Sequence, residues 1–206
     1  CFEKHGDTPK GLDWDNQINL DKRYQVMLDI VKPYNFIDRD CYPSLLDFGC
    51  GYGDFYKYLK KYDHSNFVDY TGIDINSDLI DKCIEKYNPK FFDVFDIHNE
   101  EDWEQLNIIF KSFDYTICNG TFTVKHTLTQ DEMWNFMTST LTKLWSKTDK
   151  GIAFNCMSKI LDFERDDLFH VSFDEISNWV YSELQCSKFI IRQDYGLREF
   201  TMYCYK

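Results

Sequence analysis

Apolar and polar positions along the chain alternate between two periods, one of about two residues and one near 3.6. Leu20–Val31 places Tyr24, Met27, Leu28 and Val31 on one helical stripe, with Asp21 near its start. Ser44–Phe48 is a short apolar run read as the first strand, and a helix is predicted from about Gly53 to Lys61. Asp69–Ile75 reads as the second strand, followed by a helix to about Tyr87 that Ser77 can cap. Phe91–Phe95 is a third strand and Glu101–Phe110 a short helix. Phe113–Cys118 and Lys150–Cys156 are strands four and five. Between them, Thr129 and Glu132 form a capping box for a helix ending near Trp145. Ser172 and Glu175 form a second box, opening a helix to about Leu184. Lys188–Gln193 and Arg198–Tyr205 flank a turn at Tyr195–Gly196 and read as an antiparallel hairpin.

Repeated β–α alternation predicts an α/β fold. It is a Rossmann-like, seven-stranded, mostly parallel sheet with helices on both faces and a C-terminal antiparallel hairpin. No repeat, low-complexity tract or proline-rich linker divides the chain. Residues 1–206 therefore read as one domain, with 1–40 an N-terminal lid and helix and 41–206 the core. Ser158–Val171 is the longest stretch without a period, a length of loop that can cover a pocket.

The turn after strand one carries the most chemistry. LLDFGCGYGD places Gly49, Gly51 and Gly53 between a strand and a helix, where a backbone can pass close to a ligand. The dinucleotide fingerprint G-x-G-x-x-G would need its third glycine where Asp54 stands. The G-x-G-x-G spacing, preceded by Asp47 inside the strand, disfavours a pyrophosphate and favours a ligand bearing an ammonium or sulfonium. Asp74 falls at the end of strand two, where a carboxylate can accept two vicinal hydroxyls. Asp47, Asp74 and Asp96 together supply negative charge for a cationic cofactor.

Composition narrows the partners. With a formal net charge of −12 and no basic patch, the chain repels a phosphate backbone, so nucleic acid is excluded as substrate. No apolar run reaches the length of a membrane span. The eight cysteines form neither a C-x-x-C pair nor a Cys/His cluster of zinc spacing, so no metal site is expected. A reducing cytoplasm fits their scatter. Cys50, within the glycine turn, is either a reactive thiol or a packed small residue. Cys1, in place of an initiating methionine, suggests a truncated or processed start.

Over almost its whole length the chain resembles the class I S-adenosylmethionine-dependent methyltransferases. LLDFGCGYGD is similar to that family's first motif, YTGIDIN to its second, FFDVFDI to its third, and FDYTICNGTF to the segment after strand four. The resemblance implies S-adenosyl-L-methionine as cofactor and S-adenosyl-L-homocysteine as product. It implies Asp47, Gly49, Cys50, Gly51 and Gly53 around the methionyl part, and Asp74 with Ile75 at the ribose. Asp96 and Ile97 would lie at the adenine, and Asn119 and Gly120 beside the methionyl ammonium and the methyl. HGDTPKGLDWDNQINLDKRYQVML resembles the lead-in of small bacterial methyltransferases, some of them in surface-glycan pathways such as capsule phosphoramidate methylation. That likeness implies Trp14 and Arg23 closing over the cofactor, with Arg23 on the methionyl carboxylate.

Methyl transfer requires alignment and, for a hydroxyl acceptor, a base. His126 and His170 are the candidates, each equally readable as a structural residue. Lys159, Arg165, Tyr195 and Arg198 could engage an anionic substrate or simply decorate the surface. Phe122 either lines an acceptor pocket or fills core. CNGTF stands where enzymes that methylate amino nitrogens of bases or glutamine carry N-P-P-Y, so a small-molecule or sugar oxygen acceptor is expected. Competing readings are a non-catalytic cofactor-binding partner subunit and a nicotinamide-dependent oxidoreductase.

Overall fold

The computed structural model describes residues 17–31, 42–161 and 164–206. Strands are β1 (Ser44–Phe48), β2 (Asp69–Asp74), β3 (Phe92–Val94), β4 (Phe113–Phe122), β5 (Thr148–Ser158), β6 (His170–Val171), β7 (Lys188–Arg192) and β8 (Glu199–Tyr205). Helices are α1 (Gln17–Leu28), α2 (Asp54–Lys61), α3 (Ser77–Lys86), α4 (Glu100–Ile109), α5 (Gln130–Ser146) and α6 (Phe173–Ser182). The sheet runs β3-β2-β1-β4-β5-β8-β7. The β1–β2, β2–β3, β1–β4 and β4–β5 pairs are parallel, whereas β8 is antiparallel to both β5 and β7.

All seven expected strands are present in the expected α/β arrangement. The addition is β6, two residues that pair with the end of β5 through Met157–His170 and Ser158–Val171. Two residues carry no readable period, so this strand was invisible in the sequence. It ties the end of the 158–171 stretch to the sheet, with a further bridge between Val124 and Leu168. The cap of α3 also differs from expectation. Asn76, not Ser77, accepts from the Asp78 and Leu79 amides, because its extended backbone aims the carbonyl along the helix start. The Thr129–Glu132 box on α5 forms in both directions.

Period-two alternation explains how one strand serves two cores. On β1, Leu45 joins a cluster with Leu20, Met27, Phe55, Leu59 and Ile80, under α1, α2 and α3. Its neighbour Leu46 joins the opposite cluster with Leu106, Met137, Leu141 and Val180, under α4, α5 and α6. Both sheet faces are thus covered, and β1 to β4 all end at the same rim. In an open α/β sheet the crevice opens where strand order reverses, here between β1 and β4.

Candidate active site

A cavity of about 320 Å³ lies at that rim. Asp47–Gly51 forms one wall, Asp74 and Ile75 the next, Phe95–His98 the third and Asn119–Thr121 the fourth; Tyr24, Asp54, Phe55 and Phe136 complete it. The turn after β1 is held by backbone bonds. The Gly49 and Cys50 amides both donate to the Ile73 carbonyl, at 2.8 and 3.0 Å. At Gly49 φ is +75°, and a Cβ there would sit 2.7 Å from Thr121 Oγ1, itself bonded to the Phe48 carbonyl. Only glycine brings β1 and β4 this close at the cavity floor.

Asp74 is fixed rather than mobile. Its Oδ2 accepts from the Gly51 amide and its Oδ1 from the Asn76 amide, both at 2.9 Å. Each oxygen retains acceptor capacity for a ligand donor. The Asp96 amide donates to Asp102 and its Oδ1 accepts from the His98 amide. Ile97 is buried, with its carbonyl accepting from Lys143 Nζ at 2.8 Å.

Asp47 is 2% exposed and accepts from the Tyr70 hydroxyl at 2.8 Å. Burial pushes its carboxyl up to about 7; the Tyr70 bond works against that rise and the Asp74 charge adds to it. Asn119 Oδ1 is buried with no hydrogen-bond partner among the described residues. A buried acceptor left unpaired is costly, and one on a cavity wall is open to a donor on a bound molecule.

The donor set therefore has a sign. Four carboxylates (Asp47, Asp54, Asp74 and Asp96) line the cavity, and its described lining includes no lysine or arginine. A cationic ligand with vicinal hydroxyls fits this wall; a pyrophosphate does not.

Most of the residues expected to hold the cofactor meet here. Asp47, Gly49, Cys50, Gly51, Asp74, Ile75, Asp96, Ile97, Asn119 and Gly120 all line the cavity. Gly53 stands behind the turn as the left-handed residue preceding α2. Trp14 lies outside the described residues. Arg23 is not on the cavity wall: its Nε donates to both oxygens of buried Glu199, at 2.8 and 2.9 Å.

Neither histidine expected as a base lines the cavity. His126 sits exposed on the turn after β4, in left-handed backbone at φ 48°. His170 is buried in β6, and both ring nitrogens are engaged, Nδ1 with the Ser158 carbonyl at 2.9 Å and Nε2 with the Arg165 amide at 3.3 Å. This fixes a tautomer that donates from Nδ1 and accepts at Nε2, the role of a structural clasp.

The expected substrate residues are likewise elsewhere. Phe122 is fully buried against Phe136 and Phe154. Lys159 pairs with Glu175, Arg165 with Asp167, and the Tyr195 hydroxyl with Thr201. Arg198 is exposed just before β8. Tyr24, His98 and Phe136 were not anticipated. They reach the cavity from three separate elements, and no local motif marks them. His98 lies with its Nε2 2.9 Å from Thr140 Oγ1 and its ring 5.6 Å from that of Phe136.

Comparison with known proteins finds methyltransferases. A family model described as "Methyltransferase domain" matches residues 46–143, from β1 into α5. The chain is 29% identical over 163 residues to "Putative methyltransferase Rv1506c" of Mycobacterium tuberculosis, covering 77% of this chain and 90% of that protein. Among solved structures, the CurJ carbon methyltransferase superposes with a TM-score of 0.63 at 16% identity, over 89% of this chain. The chain spans about half of that protein's length, 53%. Magnesium protoporphyrin IX methyltransferase of Synechocystis PCC 6803, solved with bound S-adenosylmethionine, gives 0.60 at 14% identity, over 100% of this chain and 93% of that one.

Proposed function

We propose that this chain is a class I S-adenosylmethionine-dependent methyltransferase and that the methyl group goes to an oxygen of a small-molecule or sugar-type acceptor, including glycans of the capsule phosphoramidate kind. The observation that carries the cofactor assignment is the cavity's four carboxylates beside the unpaired Asn119 Oδ1. When bound, the cofactor supplies a methyl group on a sulfonium, an electrophile with its leaving group built in. The chain's task is then to hold and align. Asp74, pinned by two amides, accepts the ribose hydroxyls. The Gly49–Gly51 turn lies against the methionyl portion, and Asn119 Oδ1 accepts from its ammonium. Asp96 and Ile97 face the adenine, flanked by His98 and Phe136. Asp47 and Asp54 balance the remaining positive charge.

Three features support a small-molecule acceptor rather than a nucleic acid or an amide nitrogen. The CNGTF segment ends β4 where enzymes that methylate amino nitrogens of bases or glutamine carry N-P-P-Y. The net charge of −12 opposes a nucleic-acid substrate. The cavity, at about 320 Å³, is sized for small molecules. Alignment of acceptor and methyl carries the rate in this reading.

Calorimetry with S-adenosylhomocysteine tests the cofactor site. The chain binds, and Asp74→Ala weakens binding about 10- to 100-fold, the range for losing hydrogen bonds to a charged group. Absence of binding to the unsubstituted chain overturns the cofactor reading; an unaffected Asp74→Ala overturns the ribose assignment. Incubation with sugar, phenol, carboxylate and amine acceptors, read by product mass, tests the acceptor. Methylation at amines alone overturns the oxygen assignment, and binding without turnover on any acceptor favours a non-catalytic partner subunit.

A further inference from the structure

The ladder between β4 and β5 breaks at the cavity. Cys118 faces Phe154 and Phe122 faces Cys156, so β4 advances four residues while β5 advances two. Asn119, Gly120 and Thr121 lie in this break as a bulge, and all three line the cavity. Gly120 stands at φ +82°, in the left-handed backbone that favours glycine.

A side chain of β5 holds the bulge in place of the missing ladder bond. Asn155 Oδ1 accepts from the Gly120 amide at 2.8 Å, and the Thr123 hydroxyl donates to the Gly120 carbonyl at 2.9 Å. The Gly120 amide shares a planar peptide group with the Asn119 carbonyl, so fixing it also fixes how the Asn119 side chain leaves the backbone. Alternation puts the two asparagines on one face of the sheet. Ile117 and Ala153 belong to the cluster under α1 to α3, Cys118 and Phe154 to the opposite cluster, and Asn119 and Asn155 come next.

Asn155 carries a cost that packing does not explain. It is fully buried, and its Nδ2 has no hydrogen-bond partner among the described residues. The amide cannot turn to relieve this, because a turned amide aims a donor at the Gly120 donor. An apolar strand residue here would leave no such buried donor. Beside it, Asn119 Oδ1 is the unpaired acceptor on the cavity wall.

We propose that Asn155 is a positioning residue for the amino-acid end of the cofactor: by clamping the Gly120 amide it aims Asn119 Oδ1 at the ammonium of that end. The inference rests on the S-adenosylmethionine reading above. Asn155 is not part of the cavity lining and acts through the bulge. The ribose and adenine walls, Asp74 and Phe95–His98, follow β2 and β3 on the far side of β1, out of the clamp's reach. Asn155 therefore acts on one half of the ligand only.

Calorimetry with two ligands tests this: S-adenosylhomocysteine, and 5′-methylthioadenosine, which has a methyl group in place of the amino-acid chain. The unsubstituted chain binds both, S-adenosylhomocysteine the more tightly. Asn155→Leu weakens S-adenosylhomocysteine about tenfold and changes 5′-methylthioadenosine less than about twofold. Asn155→Thr, a residue suited to a strand but too short to reach the Gly120 amide, gives the same split. Asn155→Asp, which keeps an oxygen for that amide, stays within about threefold of the unsubstituted chain on both ligands. Asn119→Ala shows the same selective loss, and adding Asn155→Leu to it costs nothing more, because one acts through the other. Circular dichroism confirms that each variant is folded. Failure of the unsubstituted chain to bind either ligand overturns the cofactor reading. Equal affinity of the unsubstituted chain for the two ligands, an equal loss on both in the Asn155 variants, an unchanged S-adenosylhomocysteine affinity, or additive losses in the double variant overturns the role of Asn155 and leaves the cofactor reading standing.

Discussion

Asp47 shows how a single position binds fold to chemistry. Its side chain leaves β1 into a buried site, with one hydroxyl donor from Tyr70 and a second carboxylate, Asp74, nearby. Raised to about 7, it binds more protons in the folded than in the unfolded chain. Its contribution to stability is therefore fully present below the ordinary carboxylate range and is lost as pH rises through about 7. Asp47→Asn is expected to stabilise the ligand-free protein at pH 8 by on the order of 2 kcal/mol, with the gain vanishing near pH 4. Urea denaturation across that range measures it. The same variant binds S-adenosylmethionine more weakly, and the unsubstituted chain releases a proton on binding near neutral pH. Calorimetry in buffers of different ionisation enthalpy reads that proton. The carboxylates were legible in the sequence because each sits at a strand end within a motif. The burial that shifts Asp47 was not, since it depends on Tyr70 and on helices elsewhere in the chain. His170 makes the same point: its residue type suggested a base, but the two bonds that occupy its ring come from Ser158 and Arg165.

At the scale of elements, periodicity and caps located nearly every strand and helix, and the misses share a cause. β4 continues to Phe122, four residues past its expected end at Cys118, because its last residues pair with β5 across a register shift. Asn76 displaced Ser77 as a cap by one position, within the ordinary scatter of helix ends. Caps that were legible should carry measurable stability. Thr129→Ala removes the hydroxyl that accepts from the Glu132 amide, while the Glu132 carboxylate still accepts from the residue 129 amide. The expected cost is about 1 kcal/mol in thermal or urea unfolding, without loss of cofactor affinity. Gly49→Ala separates the two properties. A Cβ at φ +75° and 2.7 Å from Thr121 Oγ1 strains the turn and parts β1 from β4 at the cavity floor. That variant is expected to lose S-adenosylhomocysteine binding by more than tenfold, for a stability loss of only about 1–2 kcal/mol.

For the whole molecule, the informative contact joins the two ends of the chain. Arg23 on α1 and Glu199 at the start of β8 are 176 residues apart, and the pair is buried, with side-chain exposures of 9% and 2%. A pairing across that separation leaves no local trace, which is why Arg23 read as a ligand for the cofactor's carboxylate instead. Its neighbour Tyr24 does line the cavity, so the pair anchors the helix that closes one side of the site. Removing one partner strands the other charge in the interior, which costs far more than removing both. Glu199→Ala is expected to lose about 3–5 kcal/mol, and Arg23→Leu combined with Glu199→Leu to recover most of it. Urea unfolding of the single and double variants completes the cycle. A buried pair is little screened, so the loss should persist at 1 M salt, unlike that of exposed Lys61–Asp21. Glu199→Ala should also weaken S-adenosylhomocysteine binding although Glu199 does not line the cavity, because Tyr24 moves with α1. If affinity is unchanged while stability falls, α1 holds its place through its apolar stripe alone, and the pair serves the fold without serving the site.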